Sequence, residues 1–405
     1  MSKIEEAREL LEKNGQAHIK VNNEELAEQI LKLDFNKIKT LYSRLNKKIK
    51  FENVEPVKAI NPDKLPREQI EEYKQMGEDI IKQKKFAVAI MAGGQGTRLG
   101  HHGPKGTFKV KINNTDKYLF EIIIEKLLKA KKEYNVYIPC YIMTSSENNS
   151  ETVEFFEKNN FFGYPKEYVN FFIQEDLPLL DEDGKLILGE DRKIKLASEG
   201  NGGIFCSMKK KKIITEMKRR NIEWIFIGAV DNLLAKYVDT LLLGLTVSQN
   251  TKIATRTVIK SNPCEKVGVI CKQNNKIKVV EYTEIPEEMR TAVNEDGEML
   301  FGESHIMCNL FNIKALEIAS TNKMKYHAAH KKTNYIDNNN RLVIPKKENC
   351  YKFEKFIFDS FELFDDITIL RGKRAEDFAP IKNSEGQDSP ETAIKLYEAY
   401  ITKKA

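Results

Sequence analysis

Phe86-Ala87-Val88-Ala89-Ile90-Met91-Ala92-Gly93-Gly94-Gln95-Gly96-Thr97-Arg98-Leu99-Gly100-His101-His102-Gly103-Pro104-Lys105-Gly106 is the stretch that decides the fold. It opens with an unbroken apolar run, the pattern of a strand buried on both faces. The run passes directly into Gly93, Gly94 and Gly96. Glycine lacks a Cβ and accepts positive φ, so consecutive amides can turn inward as a nest for an anion. Arg98 and Lys105 stand beside that nest, and both suit phosphate. A bare glycine turn would not need two cations at a strand's carboxyl end.

Two common phosphate motifs do not fit. The dinucleotide fingerprint requires a third glycine three residues after the second, with a helix starting inside the motif. Here Gly94-x-Gly96 leads to Leu99, then to Gly100, Gly103 and Pro104. A P-loop requires lysine and a hydroxyl residue after its last glycine, and His101 follows Gly100.

Working outward from the loop, strands and helices alternate. A helix is expected over Arg67 to Lys84, and another over Leu119 to Tyr134, amphipathic. Strands are expected at Val136–Met143, Phe171–Gln174 and Trp224–Val230, with a helix over Ile213 to Arg220. That alternation predicts an α/β fold, a mixed and mostly parallel sheet with helices on both faces. Ligands of such sheets gather at the strands' carboxyl ends. Residues 1 to about 50 have helical spacing (Ile4, Ala7, Leu10, Leu11, then Leu26, Ile30, Leu31), and Pro56, Pro62 and Pro66 mark 54–67 as a connector. Lys252–Ile259, Val267–Cys271, Lys276–Tyr282 and Ile306–Phe311 read as a mixed-sheet insertion or extension that covers the ligand site, with a hairpin turn at Gln273-Asn274-Asn275. A helix over Lys355–Phe364, a strand and a last helix close the chain. The expected division is a helical region 1–66, a catalytic core 67–345 and a small C-terminal α+β region 346–405.

The 405 residues exceed what one core usually supports. Hydrophobic content of 41% and charged content of 31% describe a soluble globular protein, and no apolar run approaches the ~20 residues of a membrane span. The N-terminus lacks a signal-peptide core. The net charge of +6 comes from 66 basic and 60 acidic residues, a balance that suits an anionic small substrate better than nucleic acid. Six scattered cysteines with no CxxC pair indicate reduced thiols and a cytoplasmic protein.

Asp231 ends the strand WIFIGAV. A carboxylate there, facing a phosphate loop, is where Mg²⁺ would sit, since magnesium takes one or two carboxylates and fills its shell with phosphates and water. The competing role is N-cap of a helix over Leu233–Leu243. Ser198-Glu199-Gly200-Asn201-Gly202-Gly203 is a second loop of close backbone approach, and Asn201 offers a donor and an acceptor to a base edge or sugar hydroxyl. His327-x-x-His330 would align two imidazoles on a helix, but no carboxylate follows at metal-ligand spacing, which argues against zinc. Lys209–Lys212 with Arg219 and Arg220 reads as a solvated helix face, because no aromatics interleave.

Taken together, the chain resembles the UDP-N-acetylhexosamine pyrophosphorylases and their relatives among UTP-dependent sugar-1-phosphate uridylyltransferases. The likeness rests on AGGQGTRLG then PKG, QEDLP at Gln174, GNGG at Gly200 and VDN at Asp231. It continues through NPCEKVGVIC around Gly268, VVEYTEI at Glu281, HAAHKK at His327, EKFIFD at Glu354 and FAPIKN with Lys382, and includes GQAH at Gln16. The resemblance implies a Rossmann-like nucleotidyltransferase core, with UTP and a sugar 1-phosphate giving a UDP-sugar and pyrophosphate. It places Ala92, Gly93, Gly94, Gln174 and Gly200 on the nucleotide, Arg98 and Lys105 on the β- and γ-phosphates, and Lys382 on the phosphate shared by sugar and nucleotide. It places Asp231 on Mg²⁺, and Asn201, Gly268, Glu281 and Asn309 at the sugar. No side-chain nucleophile is implied, because the sugar phosphate attacks directly. N-acetylglucosamine 1-phosphate is the expected acceptor, with a glucose-1-phosphate or broad-specificity enzyme as the alternative. One departure bears on that choice: where the family carries asparagines near the sugar, GESHIMCNLF puts His305 and Cys308, with Asn309 one position on.

Overall fold

The computed structural model describes residues 1–43, 45, 52–295 and 297–404. They form two compact units, one drawn from residues 1–49, 175–203 and 324–356 and the other from 50–174, 204–323 and 357–405.

The larger unit is built on a ten-stranded sheet. Its main path runs Val54–Pro56, Val269–Gln273, Glu303–Asn312, Trp224–Ala229, Phe86–Met91, Cys140–Thr144, Val169–Ile173. Lys276–Val280 pairs with Val269–Gln273, Ile253–Ile259 with Glu303–Asn312, and Thr368–Arg371 with Ile253–Ile259. Trp224–Ala229, Phe86–Met91, Cys140–Thr144 and Val169–Ile173 are parallel, with Trp224 opposite Phe86 and Val88 opposite Cys140. The chain lays Cys140–Thr144 and Val169–Ile173 on one side of Phe86–Met91, then crosses back to place Trp224–Ala229 on its other side. Strand order reverses there, and such a reversal opens a crevice at the carboxyl ends. Loop 92–107 leaves one lip of that crevice and Asp231 the other.

All six residues of Phe86–Met91 are buried, as an apolar run covered on both faces requires. Phe86, Val88 and Ile90 pack with Phe120, Ile123, Ile124 and Leu127 of the helix Leu119–Tyr134. That helix has the bounds its periodicity predicts, and it stops where Asn135 turns left-handed at φ 57°. Asn274 and Asn275, at φ 50° and 62°, make the expected hairpin turn.

Three local expectations change in this unit. Leu233–Leu243 is not one helix: 231–239 is a series of turns, and the helix is Thr240–Ser248, capped by Asp239, whose carboxylate accepts from Leu242 N at 3.0 Å. Asp231 is therefore no N-cap. The strands between 252 and 311 extend the central sheet, the extension rather than the insertion of the two expectations. The connector contributes a strand, Val54–Pro56, and Ile60 bridges Leu370. The stretch expected as a helix from Lys355 is a 3₁₀ turn, Ile357–Leu363.

In the smaller unit the helices Lys3–Lys13, Glu24–Leu31 and Phe35–Tyr42 are capped by Ser2, Asn23 and Asp34. They bury Leu11, Ile30 and Ile38 against Leu180, Leu186 and Phe353. The expected helical stretch near residues 46–50 lies outside the described residues. Gln16 ties the first helix's end to a hairpin, accepting from Leu186 N at 2.8 Å and donating to Gly184 O at 3.1 Å. His327–Lys331 is a strand paired with Cys350–Glu354, not a helix. Residues three apart in a strand point to opposite faces, so His327 and His330 do not converge.

Candidate active site

The glycine loop is a folded object. Gly96 N donates to Gly103 O at 2.9 Å and Lys105 N to Gly94 O at 3.0 Å, closing 94–105 on itself. His101 braces it: the ring packs on Gly96, and Nε2 lies 2.8 Å from Thr107 Oγ1. The Thr107 hydroxyl also donates to Pro104 O at 2.8 Å. A Cβ on Gly93 would stand 2.1 Å from Gln174 Nε2, so glycine is what lets the Gln174 amide lie against the loop. Nothing stands within 4 Å of the Cβ position of Gly94, which leaves its side of the backbone open. Ala92 is buried, with its N–H donating to Met143 O at 2.8 Å. Arg98, on the turn Thr97–Leu99, is exposed.

Across the crevice, Lys105 Nζ is 2.8 Å from Asp231 Oδ2, with their side chains 16% and 21% exposed. Burial alone would raise the Asp231 carboxyl, but the Lys105 and Lys382 ammonium groups and the Lys105 hydrogen bond outweigh it and hold the carboxyl below its usual range. The corner is stitched to the segment that carries Lys382. Ile381 N donates to Asp231 O at 2.9 Å, Leu233 N to Ala379 O at 3.0 Å, and Asn232 Oδ1 accepts from Ala379 N at 2.8 Å. Three charged residues far apart in sequence thus meet on one site.

Gly268, Glu281, His305 and Asn309 form a second group. Gly268 O accepts from His305 N at 2.9 Å, and Glu281 Oε1 lies 3.2 Å from where a Gly268 Cβ would be. A bulge takes Ile306 and Met307 (φ 57°) out of the ladder, so Thr257 pairs with His305 and Thr255 with Asn309. His305 and Asn309 thereby become neighbours on one face, at 2.9 Å between Nε2 and Oδ1. Cys308, expected beside the sugar, lies on the opposite face, 2% exposed in the core cluster that holds Phe226 and Tyr237. Asn309 is fully buried, and its Oδ1 also accepts from Thr255 Oγ1 at 2.9 Å.

Burial pushes the His305 imidazole down to about 4, against the opposing pull of its Asn309 bond. The unfolded chain takes up a proton near 6.5 that the fold refuses, so stability drops as pH falls from 6.5 toward 4. The full loss is on the order of 3 kcal/mol. Urea titrations at pH 7 and 4.5 read it, and His305→Gln removes that part of the slope. An unchanged slope in the variant would place the acid sensitivity elsewhere.

Gly200 and Asn201 belong to the smaller unit. Gly200, at φ 85°, would drive a Cβ to 2.4 Å from Lys355 O, and Gly202 N donates to that same carbonyl at 2.9 Å. Beneath the loop Glu199 is 1% exposed, held by Tyr326 OH at 2.9 Å, Lys355 Nζ at 3.1 Å and Lys37 Nζ at 3.6 Å.

Two supports were not legible in the sequence. Asn148 is fully buried and donates to Ala92 O at 3.0 Å and Gly94 O at 3.3 Å, while its Oδ1 accepts from Ser145 N at 2.8 Å. Its only signal is the polar run Ser145–Ser150, which reads as an ordinary turn. Glu199 sits in the glycine loop, but its partners Lys37, Tyr326 and Lys355 lie on three distant segments.

A glycine-rich loop facing a strand-end aspartate at the reversal point of a doubly wound sheet defines a nucleotide-binding α/β protein. The chain belongs to the UTP–glucose-1-phosphate uridylyltransferase family, whose model matches residues 33–388. Over 325 residues it is 37% identical to the human UDP-N-acetylhexosamine pyrophosphorylase-like protein 1, covering 77% of this chain and 64% of that one. It thus spans less than two thirds of that relative's length. A probable UDP-N-acetylglucosamine pyrophosphorylase of Dictyostelium discoideum is 32% identical, with 96% of this chain and 87% of that one covered. Among solved structures, a putative UDP-N-acetylglucosamine pyrophosphorylase from Entamoeba histolytica superposes with a TM-score of 0.80 at 32% identity, covering 87% and 90% of the two chains. No helix among the described residues is long and apolar enough to cross a membrane.

Proposed function

We propose that this protein is a uridylyltransferase that joins UTP to N-acetylglucosamine 1-phosphate, releasing pyrophosphate. The observation that carries the reading is Asp231 paired with Lys105 of the glycine loop, with the Lys382 charge near enough to stabilise the carboxylate. A sugar-phosphate oxygen attacks the α-phosphorus, the bond to the β-phosphate oxygen breaks, and pyrophosphate leaves with the electron pair. Such transfer needs mainly in-line positioning and charge neutralisation, which is what this set of residues supplies.

In this reading Ala92, Gly93 and Gly94 present the loop backbone to the nucleotide, with Gln174 on the uracil. Arg98 and Lys105 draw on the β- and γ-phosphates. Lys382 reaches the phosphate that ends between sugar and uridine. Gly268 and Glu281 face the sugar, and Asn309 acts on that wall through His305. Asp231 fits Mg²⁺: it is a single, partly exposed carboxylate, and no cluster of three or more His, Cys, Asp or Glu that could hold a metal occurs among the described residues, so substrate phosphates and water complete the shell. Bound there, the ion supplies charge neutralisation at the α-phosphate. All six cysteines are free thiols, which agrees with a cytoplasmic setting.

The names of the human and Dictyostelium relatives favour the acetamido sugar, and the family description leaves glucose 1-phosphate as the rival. Pyrophosphate release with UTP and Mg²⁺ separates them. The expected result is a kcat/KM about tenfold or more higher for N-acetylglucosamine 1-phosphate, since a site that pairs with an amide penalises its absence. A preference for glucose 1-phosphate would reassign the sugar, and no release with either would overturn the reading.

A further inference from the structure

Lys126 lies on the helix Leu119–Tyr134, outside every motif in the sequence, yet its ammonium ends at the corner that follows Asp231. Nζ donates to Leu233 O at 2.5 Å and to Ala235 O at 2.9 Å. It lies 5.3 Å from the centre of the Tyr237 ring and 5.9 Å from that of Tyr397, which belongs to the last helix, Pro390–Lys404. No carboxylate pairs with it among the described residues, and burial pulls its pKa down to about 7. An ammonium group kept in such surroundings must answer to the carbonyls it binds.

The corner's other polar groups already have partners. Asn232 Oδ1 accepts from Leu234 N at 3.1 Å and from Ala379 N at 2.8 Å, Ala235 N donates to Asn232 O at 3.1 Å, and Asn232 Nδ2 donates to Asp377 O at 2.8 Å. Leu233 and Ala235 are each 2% exposed, so their carbonyls have little access to water and Lys126 is the side chain that satisfies them. Without it, two buried carbonyls stand unpaired, and the turn must shift to find donors. The turn begins at Asp231, so any shift moves the carboxylate relative to Lys105.

We propose that Lys126 is a positioning residue for the Asp231 corner, fixing the backbone of 233–235 so that the carboxylate stands at the crevice in the orientation a divalent cation and the nucleotide phosphates require. The proposal rests on the reading of Asp231 given above. Tyr237 and Tyr397 hold the ammonium in place through their ring faces. The last helix thereby secures from one side the corner that Ala379–Lys382 secures from the other.

Lys126→Met, Lys126→Gln and Lys126→Arg in the full chain test this, with Mn²⁺ as the metal probe in the presence of UTP. Loss of an outer partner of a metal ligand typically weakens metal binding by 10- to 100-fold. Lys126→Met is expected to weaken Mn²⁺ binding by about tenfold and to lower kcat. KM for UTP stays within about twofold, because Arg98 and Lys105 are untouched. Arginine offers donors to both carbonyls and restores Mn²⁺ affinity to within about threefold, with glutamine between. If the methionine variant fails to fold, the arginine–glutamine difference carries the test. Parent-like Mn²⁺ affinity in Lys126→Met or Lys126→Gln overturns the proposal, as does a loss that arginine does not repair. Hydrogen exchange at 232–236 separates the two readings. Faster exchange in the methionine variant of a parent that releases no pyrophosphate overturns uridylyl transfer and keeps Lys126's hold on the corner. Parent-like exchange overturns Lys126's role alone.

Discussion

Asp231→Asn is expected to lower kcat by about a thousandfold or more and to leave metal-free UTP binding unchanged or tighter. On the proposed function the rate loss follows from removing the carboxylate that would hold a cation against the reacting phosphate, a role worth several kcal/mol in comparable sites. The binding effect has the opposite sign for an electrostatic reason. In the free protein Lys105 Nζ is engaged with Asp231 Oδ2 at 2.8 Å, and Lys382 adds its own attraction. Asparagine keeps the size and releases Lys105 for phosphate, while Lys382, 3.6 Å from Asp388 Oδ2, loses only a nearby attraction. The corner itself is held by backbone bonds that the substitution spares, among them Ile381 N to Asp231 O at 2.9 Å. Calorimetric binding of UTP without metal and steady-state rates with Mg²⁺ read the two effects separately. A variant that loses UTP affinity while keeping kcat would mean Asp231 orients Lys105 for binding and holds no metal.

The glycine loop, Asp231 and the alternation around them were legible in the sequence because each depends on a local signal. A strand that is apolar throughout announces burial on both faces, and glycines after it announce a backbone that must be approached. The reversal of strand order was not legible, since the pairing of Trp224–Ala229 beside Phe86–Met91 is a choice between distant segments. The helix expected at Leu233 failed for a related reason. Leu233, Leu234 and Ala235 are apolar because the turn is buried, not because a helix face is, and Lys126 and Asn232 satisfy that turn from outside its own ladder. Cys308 was misplaced because the family likeness set it level with the family's sugar-side asparagines, whereas alternation along the strand puts it on the face opposite Asn309. Asn148, Glu199 and Lys126 share one property: each acts through groups remote in sequence, backbone carbonyls for Asn148 and Lys126 and the side chains of Lys37, Tyr326 and Lys355 for Glu199, and such pairings leave no local pattern.

Gly244→Ala is expected to cost about 3 kcal/mol of stability and several degrees in melting temperature, although alanine is the better helix former by about 1 kcal/mol. The helices Arg67–Lys82 and Thr240–Ser248 pack so closely that a Cβ on Gly244 would stand 1.7 Å from Tyr73 O, and one on Gly77 2.1 Å from Thr240 O. Both obstacles are main-chain carbonyls, which cannot rotate away as a side chain would. The helices must move apart, and Leu242, Leu243 and Leu245, each at or below 2% exposure, lose packing as they do. Gly94→Ala is the matched control. With nothing within 4 Å of the new Cβ, it keeps the parent's melting temperature, yet it places a methyl group where the proposed function puts the nucleotide and is expected to raise KM for UTP. Thermal melts and UTP kinetics on the two variants thus divide the glycines into those the fold needs and those the ligand needs. Parent-like stability in Gly244→Ala would show that the helix pair has slack, and a Gly94→Ala variant that binds UTP normally would move the nucleotide off the open side of the loop.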